Sequence, residues 1–215
     1  GGFHFENYDK NNKKLEKKNQ QLINYKKKIF SNISINWIAG NKYIEDKIKS
    51  SPIYNIDYHH ISRIYNTYEK FNFSQEEILN FKIKNSLEKF DLILLFSSLK
   101  LSDRRKGLIE LKGCLSHYES LQTNKYKLAI VSLGKENINL ENKKFKHFHF
   151  DIIKDQKNLN LLFSSCDIFL NLTRNDFGPI LCEIAFQNNL HILSSNVGIA
   201  KEIVINNHNG FIYKN

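Results

Sequence analysis

The sequence lacks methionine, paired cysteines and long hydrophobic runs, and each absence narrows what the chain can be. Its three cysteines, Cys114, Cys166 and Cys182, have no close pairing, so we expect reduced core residues rather than disulfides. No stretch approaches the roughly twenty apolar residues that span a membrane, and no signal segment is recognisable, so we expect a cytoplasmic setting. With no methionine and with Gly1 as its first residue, the chain is expected to be processed or truncated.

A metal-binding pattern is also missing from the sequence. His147 and His149 alternate along one face of a predicted strand, and His59 and His60 are adjacent. Neither pair has a third ligand at the spacing of a zinc site, and no CxxC pair is present. We therefore expect no metal, and histidines that are packed or exposed instead.

The charge of the chain is one-sided, with a formal net charge of +10. A basic surface attracts any polyanion, so nucleic acid, an anionic membrane and phosphate-bearing small molecules are all compatible with it. Much of the excess lies in about the first thirty residues, in runs such as 26–28, and such runs are typical of a solvated helix face. No recognisable nucleic-acid motif accompanies the charge, so we expect no nucleic-acid partner.

Short apolar runs alternate with helix-like segments along the chain. The predicted strands are 33–39, 58–65, 92–96, 128–132, 147–150, 168–172, 191–194 and 210–213, and the predicted helices are 42–49, 75–89, 106–120, 158–165, 179–188 and 198–205. This alternation predicts a parallel sheet buried on both faces, in the doubly wound α/β class. The irregular stretch after Asn66 predicts a boundary that divides the chain into domains 1–66 and 67–215.

The sharpest local motif is TRNDFGPILCE, residues 173–183, between a predicted strand and a helix. Pro179 suits the first helical position and Gly178 the cap, so the helix N-terminus is expected to face the strand ends and attract anions. Glu183, about one turn inside, could accept hydrogen bonds from the hydroxyls of a ribose. The alternative is an exposed first-turn glutamate that the helix dipole stabilises.

A second motif, DRRKG, occupies residues 103–107 at a predicted strand-to-helix loop. Three cations and a glycine at a helix N-terminus could neutralise a diphosphate and let backbone amides approach it. An ordinary basic surface loop explains the same residues, so the motif is weak by itself.

With three further segments, these motifs resemble the group 1 family of retaining glycosyltransferases, which have the two-domain GT-B fold and include bacterial polysaccharide and lipopolysaccharide enzymes. The segments are ISINWIAGNKYIEDKIKSSPIYNIDYHHISRIYNTYEKF with a hinge-like Asn66, KLAIVSLG at 127–134, and SSNVGIAKEIVINNHNGFIYKN at 194–215. Five motifs in one order are more specific than any one of them. The resemblance implies a GT-B type fold. Residues 1–66 would be the end of a Rossmann-like acceptor domain with its hinge, and 67–215 a donor-binding domain truncated at its C-terminus.

The resemblance also implies roles for individual residues. Lys106 matches the family's lysine on the donor diphosphate, and Glu183 matches the second glutamate of a Glu-x7-Glu motif, which binds the nucleotide ribose. Phe177 and Gly178 lie in the loop that presents backbone amides to the donor sugar and phosphates. Because fixed cations neutralise the leaving phosphate, neither a metal nor a cofactor is implied, and the nucleotide-sugar is the substrate.

The sequence departs from the family pattern at two points in this site. Asn175 stands where the motif has its first glutamate, so either Asp176 replaces that group or its role is reduced. The family's arginine upstream of Lys106 is missing, which leaves Arg104 or Arg105 to make the second phosphate contact.

The resemblance implies an enzyme, a retaining hexosyl-type glycosyltransferase of polysaccharide biosynthesis. Its partners would be a UDP-, GDP- or ADP-linked sugar and a glycan or lipid-linked acceptor, and peripheral contact with an anionic membrane stays open. Lys106, Asn175 and Asp176 are the candidate catalytic residues, although we expect the fragment alone to be poorly active. Two alternatives stay open: a non-catalytic nucleotide-sugar-binding relic, which Asn175 suggests, and a basic nucleic-acid-binding domain, which ranks last.

Overall fold

The computed structural model describes residues 16–121, 126–140, 143–176, 178 and 180–213, together with the helical backbone of residues 13–15. The chain divides into two compact units, residues 1–66 and residues 67–215. None of the helices in the described part of the chain has both the length and the apolar character that crossing a bilayer requires.

The part of the first unit that the structure describes contains two helices and two parallel strands. They are α1 (Lys13–Phe30), β1 (Ile35–Ala39), α2 (Lys42–Lys49) and β2 (His59–Arg63). The Asn41 side chain caps α2 by accepting a 2.8 Å hydrogen bond from the Ile44 amide. His59 is buried, and its two ring nitrogens lie 3.1 Å from the Asn55 amide and 2.9 Å from the Phe30 carbonyl. This histidine is therefore a satisfied core residue, one of the two outcomes that the sequence predicts.

Within its described residues the second unit has six helices or turns and six strands. In chain order they are α3 (Gln75–Lys84), β3 (Leu92–Ser97), a 3-10 turn (Arg104–Lys106), α4 (Leu108–Ser120), β4 (Leu128–Leu133), β5 (Phe145–Phe150), α5 (Gln156–Ser164), β6 (Ile168–Asn171), α6 (Ile180–Gln187), β7 (His191–Ser195), α7 (Ala200–Ile203) and β8 (Gly210–Tyr213).

The six strands form one parallel sheet in the order β5-β4-β3-β6-β7-β8. Both faces of the sheet are covered, because successive residues of β3 enter different hydrophobic clusters. Ile93 and Leu95 lie in one cluster, with residues of α5 and α6, and Phe96 lies in the other, with residues of α4. The predicted fold class, a doubly wound parallel α/β sheet, is confirmed.

Several predicted helices have different ends in the structure, such as 158–165, which is Gln156–Ser164, and 198–205, which is Ala200–Ile203. In two others the difference has a backbone cause. Helix α3 ends at Lys84 rather than at residue 89 because Ser86 takes a left-handed conformation, with φ of 58°. Helix α4 begins at Leu108 rather than at Lys106 because Gly107 also lies in the left-handed region, with φ of 85°. Lys106 therefore belongs to the preceding 3-10 turn.

The cysteines do not all lie in the core. Cys166 and Cys182 are buried, and burial raises the pKa of both thiols. Cys114 is exposed on α4, so the prediction of three core cysteines is wrong at this position. The helix contributes Leu111 and Leu115 to the core, and a residue between them in sequence can face solvent.

Candidate functional site

The candidate site lies where the chain reverses direction across the sheet. From β3 the chain continues through β4 and β5 on one side, then returns to place β6 on the other side of β3. The loops that follow β3 and β6 therefore leave the same edge beside one another, and the crevice at such a position is where sheets of this class usually bind a ligand. The two motifs singled out in the sequence, 103–107 and 173–183, follow these two strands.

Backbone contacts join the two loops. The Arg105 carbonyl accepts hydrogen bonds from the Thr173 hydroxyl at 2.9 Å and from the Arg174 amide at 2.8 Å. A Cβ atom at Gly107 would lie 2.1 Å from the Leu172 carbonyl oxygen, and the φ of Gly107 is 85°. Glycine is therefore required at position 107 by the packing of the two loops, independently of any ligand.

The two loops also meet through an ion pair. The Lys106 ammonium lies 2.5 Å from Oδ2 of Asp176, and Oδ1 of Asp176 accepts a 3.4 Å hydrogen bond from the Gly178 amide. The two side chains of the pair are 27% and 19% exposed, so water screens this pair less than a surface pair. The structure thus brings Lys106, Asp176 and Gly178 together at one end of the crevice.

The two candidate arginines have different surroundings. The Arg105 guanidinium lies 2.7 Å from a carboxylate oxygen of Asp103. This hydrogen bond, together with one from the Arg105 amide, lowers the pKa of Asp103. Arg104 is exposed and has no ion-pair partner within the described part of the chain. Of the two, Arg104 is the cation whose charge is not already compensated.

Glu183 lies in the first turn of α6 and is partly buried. Its neighbour Cys182 is buried, and three charged groups affect the pKa of this thiol after burial itself. Asp176 and Glu183 raise the pKa, and Lys106 lowers it. These three charged groups are therefore near enough to Cys182 to act on its thiol. Phe177, the remaining predicted site residue, lies outside the described residues.

Asn175 does not join the ion pair. It is partly exposed, and its backbone carbonyl lies 3.4 Å from the Thr173 hydroxyl. Its side-chain amide makes no hydrogen bond to another described residue. The carboxylate beside Lys106 comes from Asp176 instead, one residue later in the chain.

Sequence reasoning did not single out the residues that hold the loop after β6. Arg174 makes an ion pair with Glu110 of α4, and the Ser195 hydroxyl donates a hydrogen bond to the Thr173 carbonyl. Arg174 and Thr173 lie inside the quoted motif, so their position was the available signal. Ser195 lies in the quoted segment 194–215, but nothing in that segment indicates a contact with Thr173, and Glu110 lies in no quoted motif.

Histidine and carboxylate side chains do not gather into a metal centre in the described ranges, where no three of His, Cys, Asp and Glu could hold an ion together. His147 and His149 instead share one partner, the buried hydroxyl of Ser132, at 2.8 and 3.0 Å.

No family model matches the sequence, and no curated protein matches it. Solved structures do match the fold. A glycosyltransferase from Rickettsia africae ESF-5 is similar over 90% of this chain and 52% of its own, with 16% identity and a TM-score of 0.66. A sucrose-phosphate synthase from Thermosynechococcus elongatus is similar over 91% and 49%, with 14% identity and a TM-score of 0.65. HepE from Anabaena, solved with UDP, is similar over 82% and 49%, with 14% identity and a TM-score of 0.58.

These likenesses concern the path of the backbone, since the sequence identities are low. The chain spans about half the length of the solved structures that it matches. Its parallel α/β architecture is that of the GT-B glycosyltransferases.

Proposed function

We propose that this chain is the donor-binding part of a glycosyltransferase. The enzyme would transfer a sugar from a nucleotide diphosphate sugar to a glycan or lipid-linked acceptor, with retention of configuration at the anomeric carbon. In this proposal residues 67–215 bind the donor, and residues 1–66 are the end of the acceptor domain and its hinge. The setting is cytoplasmic.

The observation that carries the proposal is the meeting of Lys106 and Asp176 in the crevice between β3 and β6. A fixed lysine, a nearby arginine with no ion-pair partner among the described residues, and loop amides are the groups that recognise a diphosphate. The solved complexes of HepE with UDP and with UDP-glucose support this choice of ligand, because that protein shares the fold.

The chemistry follows from where charge develops during transfer. Cleavage of the bond between the anomeric carbon and the diphosphate oxygen leaves negative charge on the phosphate and positive charge on the sugar ring. Lys106 and Arg104 would stabilise the departing diphosphate electrostatically. Glu183 would accept hydrogen bonds from the ribose hydroxyls. Asp176, beside Lys106, would lie close to the sugar. It would supply the carboxylate of the motif's first glutamate, which Asn175 cannot supply because its amide is uncharged.

A thermal-shift titration with UDP, GDP and ADP, each free and as a sugar conjugate, tests the proposal. Ligands that bind the folded state stabilise it in proportion to the logarithm of their concentration above Kd. We expect one nucleotide to raise the Tm of the 215-residue chain, and Lys106→Ala and Glu183→Gln each to abolish the shift. Lys112→Ala removes an exposed lysine from α4 and serves as the matched control, which should keep the shift.

Two results of this titration would contradict the proposal. A folded chain that no nucleotide stabilises, or whose shift survives both Lys106→Ala and Glu183→Gln, would contradict the proposed donor site. Glu183→Gln keeps the test valid if Lys106→Ala fails to fold because Asp176 loses its ion-pair partner.

A second function, a non-catalytic nucleotide-sugar-binding relic, is favoured by one observation. The amide of Asn175 stands at the first acidic position of the motif, and its side chain has no hydrogen bond to another described residue. Both functions predict nucleotide binding. An active transferase also hydrolyses its bound sugar nucleotide slowly, because the site is competent for cleavage, whereas a binding relic does not. A chain that binds UDP-sugar without any such hydrolysis would therefore favour the relic.

A further inference from the structure

Four buried polar side chains lie together at the carboxyl ends of β6 and β7. They form the β6–β7 polar group, which consists of Asn171, Thr173, Ser194 and Ser195. None of the four is more than 7% exposed. Burial of a polar group costs free energy unless the group is hydrogen-bonded, so the partners of these side chains decide which backbone segments the group holds in place.

Hydrogen bonds run through the β6–β7 polar group toward β3. The Asn171 amide donates to the Ser194 hydroxyl at 2.8 Å, and this hydroxyl donates to the Ser195 carbonyl at 2.8 Å. The Ser195 hydroxyl donates to the Thr173 carbonyl, and the Thr173 hydroxyl donates to the Arg105 carbonyl at 2.9 Å. The end of β7 is thereby joined, through the loop after β6, to the 3-10 turn after β3.

The Arg105 carbonyl is the point at which this chain of hydrogen bonds reaches Lys106. Because a peptide unit is planar, the carbonyl of Arg105 and the amide of Lys106 move as one rigid body. The carbonyl accepts from the Thr173 hydroxyl and from the Arg174 amide. The Lys106 amide donates to the Asp103 carbonyl at 2.8 Å. The peptide unit is therefore held at both ends, and it sets the direction in which the Lys106 side chain leaves the backbone.

We propose that Thr173 is a positioning residue, which fixes the peptide unit before Lys106 and so orients the lysine toward a bound diphosphate. The Thr173 hydroxyl is buried and already donates to a carbonyl, so it acts through Lys106 and does not contact the ligand itself. Ser195 acts one step further away, because it holds the Thr173 carbonyl. The inference rests on the proposed function for the role of Lys106, whereas the fixing of the turn needs no ligand.

Ser165 offers a matched control. Its hydroxyl is also fully buried, and it donates to a backbone carbonyl, that of Leu161, at 2.7 Å. It lies between α5 and the amino end of β6, at the edge of the sheet opposite to the candidate site. Ser165→Ala therefore removes a hydrogen bond of the same kind without changing the loops after β3 and β6.

Hydrogen exchange of the 215-residue chain without ligand, followed by NMR, tests whether Thr173 fixes the turn. Thr173→Val keeps the branched shape of the side chain and removes the hydroxyl. We expect the amides of Lys106 and Arg174 to exchange about tenfold faster in this variant, because loss of the hydrogen bond loosens the peptide unit between them. Thr173→Ser, which restores a hydroxyl, and Ser165→Ala should keep the exchange rates of the wild type at these two amides.

Calorimetric titration with UDP tests whether the fixed turn serves the ligand. We expect Thr173→Val to weaken UDP binding about tenfold, and Thr173→Ser and Ser165→Ala to stay within about twofold of the wild type. Ser195→Ala should weaken binding less than Thr173→Val, because it acts through one more residue. A loss of stability without a positioning role would affect the Thr173→Val and Ser165→Ala variants alike. Ser195→Ala leaves Thr173 in place and decides the question if Thr173→Val does not fold.

The proposal falls on either of two outcomes. One is unchanged exchange at Lys106 and Arg174 in Thr173→Val, because the Arg174 amide alone would then hold the Arg105 carbonyl. The other is faster exchange with unchanged UDP affinity, because the turn would then be fixed without serving the ligand. A wild-type chain that binds no nucleotide contradicts the proposed function, and with it the role of Lys106. Faster exchange in Thr173→Val would still assign the fixing of the turn to Thr173, so the two failures are distinguishable.

Discussion

The carboxyl edge of the six-stranded sheet has two halves that hold polar groups in different ways. Beyond β3 and β6, the charged pair Lys106 and Asp176 lies on irregular segments that follow the strands. Near the ends of β4 and β5, the polar groups lie within the strands, where Ser132 contacts the rings of His147 and His149 at 2.8 and 3.0 Å.

The two groups differ in whether their side chains can give up their present partners for a ligand. Lys106 and Asp176 remain partly exposed, so a ligand phosphate could replace or join the carboxylate. Ser132 is fully buried on β4, which lies between β3 and β5. Because a hydroxyl both donates and accepts hydrogen bonds, it can bind a nitrogen of each of two imidazole rings at once. The β4–β5 group is therefore structural, and its position at the same sheet edge is not evidence of a ligand.

Gly107→Ala should have the largest effect, because it breaks the contact that brings the β3 and β6 loops together. The added Cβ would meet the Leu172 carbonyl at 2.1 Å in a left-handed backbone. Strain and overpacking together are expected to lower the free energy of unfolding by about 3 kcal/mol or more. Urea denaturation of the variant measures this loss.

Gly113→Ala supplies the control for this prediction. A Cβ at Gly113 meets nothing within 4 Å, and the residue lies inside α4. The substitution is expected to raise the free energy of unfolding by about 0.5–1 kcal/mol through helix propensity. Equal effects of the two alanines would mean that the loops do not approach as closely as the structure has them.

Arg104→Ala and Arg105→Ala should weaken nucleotide binding by different amounts, although both arginines lie in the 3-10 turn. The Arg104 guanidinium has no ion-pair partner among the described residues, so it is free to contact a phosphate. We expect Arg104→Ala to weaken UDP binding about tenfold, as loss of a charge-assisted hydrogen bond does. Arg105→Ala should cost less, because Arg105 already pairs with Asp103 and its loop contacts use the backbone carbonyl. Isothermal titration calorimetry measures both, and a larger loss at Arg105 would reverse the assignment.

Much of this fold could be predicted because its signals are local. Each buried strand is a short apolar run, and alternation with helices implies the parallel sheet. The helix 42–49 and the strand 210–213 have the predicted bounds. The predictions fail where one backbone angle decides, as at Ser86 and Gly107, since neither residue type by itself requires a left-handed conformation.

The candidate site could be predicted only in part. The topology of a doubly wound sheet brings the loops after β3 and β6 together, so the sequence could place the two motifs near one crevice. Which side chains pair there depends on loop geometry that no local pattern encodes. The pairing of Lys106 with Asp176, and of Arg105 with Asp103, required coordinates.

Asp176→Asn tests whether the β3–β6 half of the sheet edge can exchange its ion pair for a ligand, and its expected effect is smaller than that of the arginine substitutions. Removal of the carboxylate frees Lys106 for the phosphate, so UDP affinity is expected to rise by about threefold to tenfold. If Asp176 also contacts the sugar, affinity for the UDP-sugar should rise less than affinity for UDP, or fall. Titration of both ligands checks this, and a loss of affinity for free UDP would mean that Asp176 positions Lys106 rather than competing for it.

His147→Gln should have the smallest effect, and it tests whether the β4–β5 group depends on neutral rings. Burial, and then the charge of His149, lower the pKa of His147 below its usual 6.5. The unfolded chain therefore binds more protons than the folded chain as pH falls below about 6.5, so the free energy of unfolding should decline over that range. His147→Gln should make this decline shallower, whereas above that range it should cost only the hydrogen bond to Ser132. Urea denaturation at a series of pH values measures both. An unchanged pH dependence in the variant would mean that His147 takes up its proton in the folded chain as easily as in the unfolded one, and that the hydrogen-bonded group at β4 and β5 tolerates charge.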